Sequence, residues 1–297
     1  MWIAVGIVVV LLIAVFAIGN RLSKVLVFPH RTSMEEGRGW NIKCGFQRDF
    51  DDYEKQSYTV TAPDGYLLNA EFIPAKEPSN RYMILSHGYS SNRLGSVKYL
   101  HMYRDFGCNC VIYDDRAHGE NAETYCTLGL KESDDLLAVL KDTYRRFGSD
   151  IRVGLHGESM GSALTLLALG KKPNVKFAVI DCGFANLQDV IKGKLKKDFH
   201  LPAFFCYPGD LVCKLRFGYW SPEVRPIDAL KDNEIPLCFM HGTEDTFIPC
   251  DHSRQMHEAN KGYSELHLFP GAEHARAISS DEARYRSIVK KFIEKYF

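Results

Sequence analysis

The hydrophobic pattern of this chain changes character along its length. The first nineteen residues, MWIAVGIVVVLLIAVFAIG, are apolar throughout and carry no charge. As a helix rising ~1.5 Å per residue they reach about 28 Å, close to the ~30 Å hydrocarbon core of a bilayer. A helix packed into a globular core would show polar positions along one side, and none occurs here. The run therefore predicts a transmembrane anchor over residues 1–20. A cleaved signal peptide is the competing expectation, because Val15-Phe16-Ala17 has the form of a small-residue cleavage site. No Lys or Arg precedes the run, however, whereas signal peptides usually begin with one. Residues 21–56 are polar and mixed, and predict a linker or N-terminal arm.

From residue 57 to 297 the pattern is that of one folded domain. YTVTA and YLLNAEFIPA flank Pro63-Asp64-Gly65, two strand-like runs around a turn signal, which predicts a hairpin. Short, almost wholly apolar runs then alternate with helical stretches. RYMILSHG, CNCVIYDD, IRVGLHG, KFAVIDCG, IPLCFMHG and SELHLFP are the strand candidates. Runs of this kind suit parallel strands covered on both faces. KESDDLLAVLKDTYRRFG places Leu136, Leu137, Leu140 and Tyr144 on one helical face, with Gly148 as a stop; SMGSALTLLALG and the terminal DEARYRSIVKKFIEKYF also read as helices. The alternation predicts an α/β fold, a mostly parallel sheet with helices on both faces. From about 184 to 225 the rhythm is lost. The aromatic run FHLPAFFCYPGDLVCKLRFGYW there reads as an inserted cap over the site. Most of Phe204, Phe205, Leu211, Phe217 and Trp220 should form the cap's own core, with one or two facing the cleft to make an apolar pocket.

Charge narrows the choice of partners. The 37 basic and 37 acidic side chains cancel, and no Lys/Arg run forms a phosphate-binding stripe, so nucleic acid is not an expected partner. Arg21 and Lys24 directly follow the anchor, which favours a catalytic domain on the cytoplasmic side of a single-pass membrane protein. The nine cysteines are odd in number, and Cys110 and Cys238 sit in strand-like runs as small buried hydrophobes. Cys108-Asn109-Cys110 lacks the second pair or His cluster of a zinc site, so no metal is expected.

The chemistry lies at strand ends, where open α/β sheets bind ligands. Gly157-Glu158-Ser159-Met160-Gly161 joins the strand IRVGLHG to the helix that follows. A nucleophilic serine there stands on a strained strand-to-helix turn, and the flanking Gly157 and Gly161 avoid a β-carbon collision. By itself G-x-S-x-G is weak; its position is what gives it weight. A serine hydroxyl needs a base. His274, in the loop GAEHA after SELHLFP, fits better than His200, His252, His257 or His267. Asp245, in HGTEDTFIP, is the carboxylate expected to orient the imidazole, with Glu244 and Asp181 as fallbacks. Ser, Asp and His follow one another along the chain in the order used where the nucleophile stands on a turn of this kind. The backbone N–H groups of Met160 and Tyr89 are the expected oxyanion donors.

SHGYSSN, YDDRAHGEN, LHGESMGS, MHGTEDTFIP and GAEHA, in this order and spacing, resemble the α/β-hydrolases. The chain is most similar there to bacterial membrane-anchored members of the serine aminopeptidase and prolyl-oligopeptidase-like group. The resemblance covers roughly residues 57–297. It implies an eight-stranded, mostly parallel sheet, a ping-pong acyl-enzyme mechanism, and neither metal nor organic cofactor. It also implies that Asp115, Arg116 and His118 shape the loop under the site. Ala117 departs from the family, in which many members have glycine at that place.

The first functional expectation is a serine hydrolase cleaving carboxylic esters of apolar or aromatic acyl groups, with the small-molecule substrate and the bilayer as partners. A serine aminopeptidase-type peptidase is the alternative; it would need carboxylates such as Glu158, Glu244 and Asp210 converging on a substrate amino terminus. A catalytically silent binding protein is a third reading, but such proteins usually lose a triad member and none is missing here.

Overall fold

The computed structural model describes residues 2–297, without the side chains of residues 4, 8, 9, 11, 12 and 14. Eight strands form one sheet: β1 (Gln56–Thr61), β2 (Leu67–Ile73), β3 (Arg81–Ser86), β4 (Asn109–Tyr113), β5 (Arg152–Glu158), β6 (Ala178–Asp181), β7 (Leu237–Gly242) and β8 (Ser264–Phe269). Their order is β1-β2-β4-β3-β5-β6-β7-β8. β2 runs antiparallel to both neighbours, pairing Thr61 with Leu67 across the hairpin turn and Ala70 with Tyr113. Every other neighbouring pair is parallel. This is the mostly parallel sheet expected from the alternating pattern, in the eight-stranded α/β-hydrolase form that the family resemblance implies.

Helices cover both faces. They are α1 (Trp2–Val27), α2 (Met34–Cys44), α3 (Val97–Asp105), α4 (Leu130–Phe147), α5 (Met160–Leu169), α6 (Leu187–Asp198), α7 (Cys206–Phe217), α8 (Pro226–Ala229), α9 (Asp251–Ala259), α10 (Ala277–Ser280) and α11 (Glu282–Ile293). Successive strand residues point to opposite faces, and the core divides accordingly. Val111 and Tyr113 of β4 pack with Leu136 of α4 and Leu164 of α5. Cys110 and Ile112, one residue out of step, pack with Leu100 of α3 and Val289 of α11. The near-continuous apolar runs of the sequence are thus strands buried on both sides. None of the nine cysteines is in a disulfide; seven are buried.

The N-terminal expectation requires correction. The apolar run does form a helix, but α1 does not stop at residue 20. It continues through Arg21 and Lys24 to Val27, and its last turns belong to the folded domain. Ser23 and Val27 are buried. A β-carbon on Gly19 would fall on the Pro208 carbonyl of α7, so the two helices meet backbone to backbone there. Asn20 accepts from the Arg216 guanidinium, and the Phe28 and Phe217 rings meet edge to face at 5.7 Å. Among the described residues no helix is long and apolar enough to cross a membrane, so the transmembrane anchor and the bilayer partner have no support in the structure. Residue 1 and the side chains of residues 4, 8, 9, 11, 12 and 14, all within the expected anchor, lie outside the described residues.

Within the expected arm, the segment that enters α2 docks on the loop after β3. Ser33 caps α2 through a reciprocal pair: Glu36 N–H donates to Ser33 Oγ at 3.1 Å, and Ser33 N–H to Glu36 Oε2 at 2.7 Å. Asn92 Nδ2 donates to the Thr32 and Ser33 carbonyls at 3.0 and 2.9 Å.

The α1–α7 contact gives a direct test. Gly19→Val must force the two backbones apart, an overpacking cost of about 1–3 kcal/mol. At roughly 2–4 °C per kcal/mol, a thermal melt should show Tm lower by several degrees; an unchanged Tm would refute the close packing of α1 on α7.

Candidate active site

The turn between β5 and α5 carries Ser159 at φ 56° and ψ −114°. A side-chain-bearing residue reaches that region only under strain, and the surroundings hold it there. A β-carbon on Gly157 would collide with the Gly161 carbonyl, and one on Gly161 with the Ser86 carbonyl at the end of β3. Ser159 N–H donates to the Asp181 carbonyl at 2.8 Å, and Ser162 Oγ to the Gly157 and Asp181 carbonyls at 2.6 and 2.7 Å. The two glycines therefore let a strand and a helix approach closely enough to fix the serine between them.

Three side chains named from the sequence meet in one line. His274 Nε2 lies 2.9 Å from Ser159 Oγ, and His274 Nδ1 lies 2.6 Å from Asp245 Oδ2. An ionised carboxylate only accepts, so Nδ1 carries the proton and Nε2 is the lone-pair side facing the hydroxyl. Asp245 Oδ1 also accepts from the N–H groups of Phe247 and Ile248 at 2.9 and 2.8 Å. Burial opposes its ionisation, but hydrogen bonds from His241 and His274, electrostatic attraction to His274 and the Ile248 N–H outweigh that. The Asp245 carboxyl is held well below the ordinary carboxylate range.

His241 was not among the histidines weighed from the sequence. It is fully buried in β7. Its Nε2 donates to the Ile248 carbonyl at 2.8 Å and to Asp245 Oδ2 at 3.2 Å, while Nδ1 accepts from Ser253 Oγ at 2.7 Å. It braces the same carboxylate oxygen, Oδ2, that His274 engages. In the sequence it reads only as one more residue of an apolar strand, and its spacing of four from Asp245 is the sole signal.

The fallback acids point elsewhere. Asp181 Oδ2 accepts from Tyr99 and Tyr285 at 3.0 and 2.9 Å beneath the sheet end; burial pushes its carboxyl up to about 6. Glu244 is exposed. Glu158 is paired with the Lys98 ammonium and accepts from Tyr99 OH at 2.6 Å. Asp210 accepts from Ser221 Oγ within the cap and is buried. Of the carboxylates that would seat a substrate amino terminus, Glu158 and Asp210 are therefore engaged by other side chains and Glu244 faces outward, so the three do not converge.

Tyr89 and Met160, the expected oxyanion donors, line the same cavity as Ser159. Among the described residues neither backbone N–H has a protein acceptor. The loop below is braced as the family resemblance implies: Arg116 pairs with Asp135 at 2.8 Å and with Asp64 at 2.8 Å, and His118 Nδ1–H donates to the Arg116 carbonyl at 2.7 Å. Ala117 has φ 67°, which explains why glycine is favoured at this place.

Ser159 opens onto a cavity of about 430 Å³. Phe184 and Phe199 of the expected cap line it, whereas Phe204, Phe205, Leu211, Phe217 and Trp220 do not. Phe204 is exposed and stacks on Phe205 at 4.6 Å, Leu211 and Trp220 are also exposed, and Phe217 packs on Phe28 and Tyr125. The rest of the lining comes mainly from α6, within the expected cap, and, unforeseen, from α1. For a metal, Cys238, Glu265 and His267 bring ligand atoms within 4.8 Å of one another. Lys295 already neutralises Glu265 at 2.7 Å, and the group lies on β7 and β8, apart from the serine turn.

Fold and serine turn together define an α/β-hydrolase. The sequence pattern of the prolyl oligopeptidase family matches residues 98–297, and the chain belongs to that family; it is a hydrolase of the serine type. It is 29% identical over 289 residues to the uncharacterized protein YqkD of Bacillus subtilis, covering 96% of this chain and 94% of that one. Its fold resembles the esterase Pf2001 of Pyrococcus furiosus at a TM-score of 0.69, with 23% identity over 84% of this chain and 95% of the esterase. The acylaminoacyl peptidase of Pyrococcus horikoshii matches at a TM-score of 0.65 and 17% identity, over 82% of this chain and 42% of the peptidase.

The strain at Ser159 is measurable. At an unstrained position Ala stabilises relative to Gly by about 0.4–1 kcal/mol. Here the order should invert: Ser159→Gly should melt above Ser159→Ala by roughly 1 kcal/mol, given a strain of about 1–3 kcal/mol. An alanine variant as stable as the glycine variant would show that the turn is relaxed.

Proposed function

We propose that the protein hydrolyses carboxylic esters with apolar acyl groups, using Ser159, His274 and Asp245 as its catalytic triad. The observation that carries the reading is the hydrogen-bonded line from Asp245 through His274 to Ser159, opening on an apolar cavity. Ser159 Oγ attacks the ester carbonyl while His274 Nε2 takes its proton. The tetrahedral oxyanion is received by Tyr89 and Met160 N–H groups, each worth ~3 kcal/mol. Collapse expels the alcohol, which leaves with the proton from His274, and an acyl-Ser159 ester remains. Water then attacks that ester with His274 again as base, and the carboxylic acid departs. Asp245 stays ionised throughout and stabilises the imidazolium.

A peptidase activity is the second reading, favoured by the family and by the acylaminoacyl peptidase fold match. The pairing of Glu158 with Lys98, the pairing of Asp210 with Ser221 and the exposure of Glu244 count against a free amino terminus as the recognised group.

Fluorophosphonate should label the wild type and not Ser159→Ala. Turnover of short p-nitrophenyl esters should fall in that variant on the order of 10⁶-fold. An unlabelled wild type would sink the proposal, and aminoacyl-naphthylamide cleavage rivalling ester turnover would promote the peptidase reading. Replacing His241 by Leu removes a buried donor from Asp245, a loss of about 1–3 kcal/mol. With the line to Ser159 otherwise intact, kcat should drop roughly tenfold or more with KM little changed. A wild-type kcat would remove His241 from the machinery.

A further inference from the structure

The cavity beside Ser159 is a slot between two helices. On one side Ile18, Leu22 and Leu26 of α1 line it; on the other, Leu187, Ile191 and Leu195 of α6. Each set follows an i, i+4 spacing, which stacks side chains in one row along a helix face. The walls are therefore two aliphatic ladders. Both begin at the catalytic end. Leu187 follows the loop leaving β6, next to the serine turn, and the carbonyl of Leu26 accepts from Tyr89 OH at 2.9 Å. Both ladders then run away from Ser159.

Each ladder spans eight residues, about 12 Å at ~1.5 Å per residue. A fully extended chain covers ~1.2 Å per bond, from ~3.6 Å per three-bond residue, so the slot accommodates about ten bonds. The cavity volume of about 430 Å³ lies in the range of sites that enclose a small molecule. Tyr89 and Met160, whose N–H groups face the carbonyl oxygen in the proposed reaction, sit at the same end. The chain attached to that carbonyl is thus the part of the substrate that enters the slot.

We infer that α1 is one wall of the acyl-binding site, and that the substrate is an ester of an unbranched acyl chain of about ten carbons lying between α1 and α6. The inference rests on ester hydrolysis at Ser159 and adds the identity of the acyl group and the element that selects it. Tyr89 links the two, since its hydroxyl holds α1 while its N–H serves the oxyanion. Val25 and Leu26 carbonyls accept from that hydroxyl at 3.2 and 2.9 Å, and the Val27 carbonyl accepts from Cys126 N–H at 2.8 Å. The end of α1 is fixed to the loops around the site.

The test uses the full chain and a decyl fluorophosphonate with a diazirine at the chain terminus. Labelling should fall on Ser159, and irradiation should crosslink the probe to the peptide holding residues 18–26, alone or with that holding 187–195. Ser159 labelled with every crosslink outside α1 would overturn the inference and leave the hydrolase reading standing. An unlabelled Ser159 would overturn both. In parallel, Leu22→Trp should reduce the ratio of decanoate to acetate ester kcat/KM at least tenfold, while Lys24→Ala, on the exposed side of the same helix, leaves the ratio unchanged. A ratio for Leu22→Trp equal to that of the wild type also overturns the inference; should that variant fail to fold, the crosslinking of the unaltered protein decides.

Discussion

The close approach of β3, β5 and α5 around Gly157 and Gly161 is the constraint on which the rest of the site depends. Without room for a β-carbon at either place, strand and helix can meet only through backbone. The residue between them is driven to φ 56°. That conformation lifts Ser159 off the end of the sheet and leaves the first N–H groups of α5 beside it without partners in the helix. A helix start in the same position without the glycines would stand further back, and the hydroxyl would no longer meet a histidine brought from the far end of β8. The strain is held by the surroundings: the Asp181 carbonyl accepts from both Ser159 N–H and Ser162 Oγ, so relaxing the turn would break the seam between β5 and β6.

Much of this was legible in the sequence because it depends on local rules. Strands buried on both faces must be apolar without interruption, and RYMILSHG or IPLCFMHG can be little else. Chain order and strand ends then single out Ser159, Asp245 and His274, and a histidine in a glycine-containing loop stands out against those in helices. His241 was invisible because nothing local distinguishes a polar residue aimed into a buried network from one paired within its strand. Its role exists only once the chain turns back through Ile248 and Ser253. The cap shows another limit. Its aromatics suggested a pocket wall, but an insertion of two short helices has little interior and not every aromatic can face inward. Phe204 and Trp220 remain at its surface, while Phe199 and the plainer Leu187 and Ile191 of the same insertion face the cleft.

The N-terminal helix illustrates a different limit. Apolar length alone cannot separate a helix made to lie in lipid from one whose end is built into a domain. The distinguishing marks of α1 are small and specific: Gly19 where α7 passes, Ser23 and Val27 buried, carbonyls at its end taken up by Tyr89 and Cys126. The positive charges of Arg21 and Lys24 were read as flanking a span. In the fold they lie inside the helix, and Arg21 reaches the cavity rim.

The ionic pairs beneath the site bear on its precision more than on its stability. Arg93 joins Glu71, Asp114 and Glu120, and Arg116 joins Asp64 and Asp135; Asp114 and Asp135 are wholly buried, while Glu120 and Asp64 reach solvent. Removing such charges from water offsets much of their attraction, so these pairs contribute little net stability. What they do is fix the loops that carry the site. Asp114 accepts from the N–H groups of Arg93 and Glu120, tying the loop after β3 to the loop after β4. The first of these loops supplies Tyr89. The tyrosine is then constrained on three sides, by α1 through its hydroxyl, by the His118 ring at 5.7 Å and by the backbone that Asp114 anchors. In the proposed reaction, a donor that must wait for charge to develop gains most from having no freedom to turn away. The buried charge of the structure is concentrated at these loops, while the cavity beside Ser159 is lined mainly by apolar side chains.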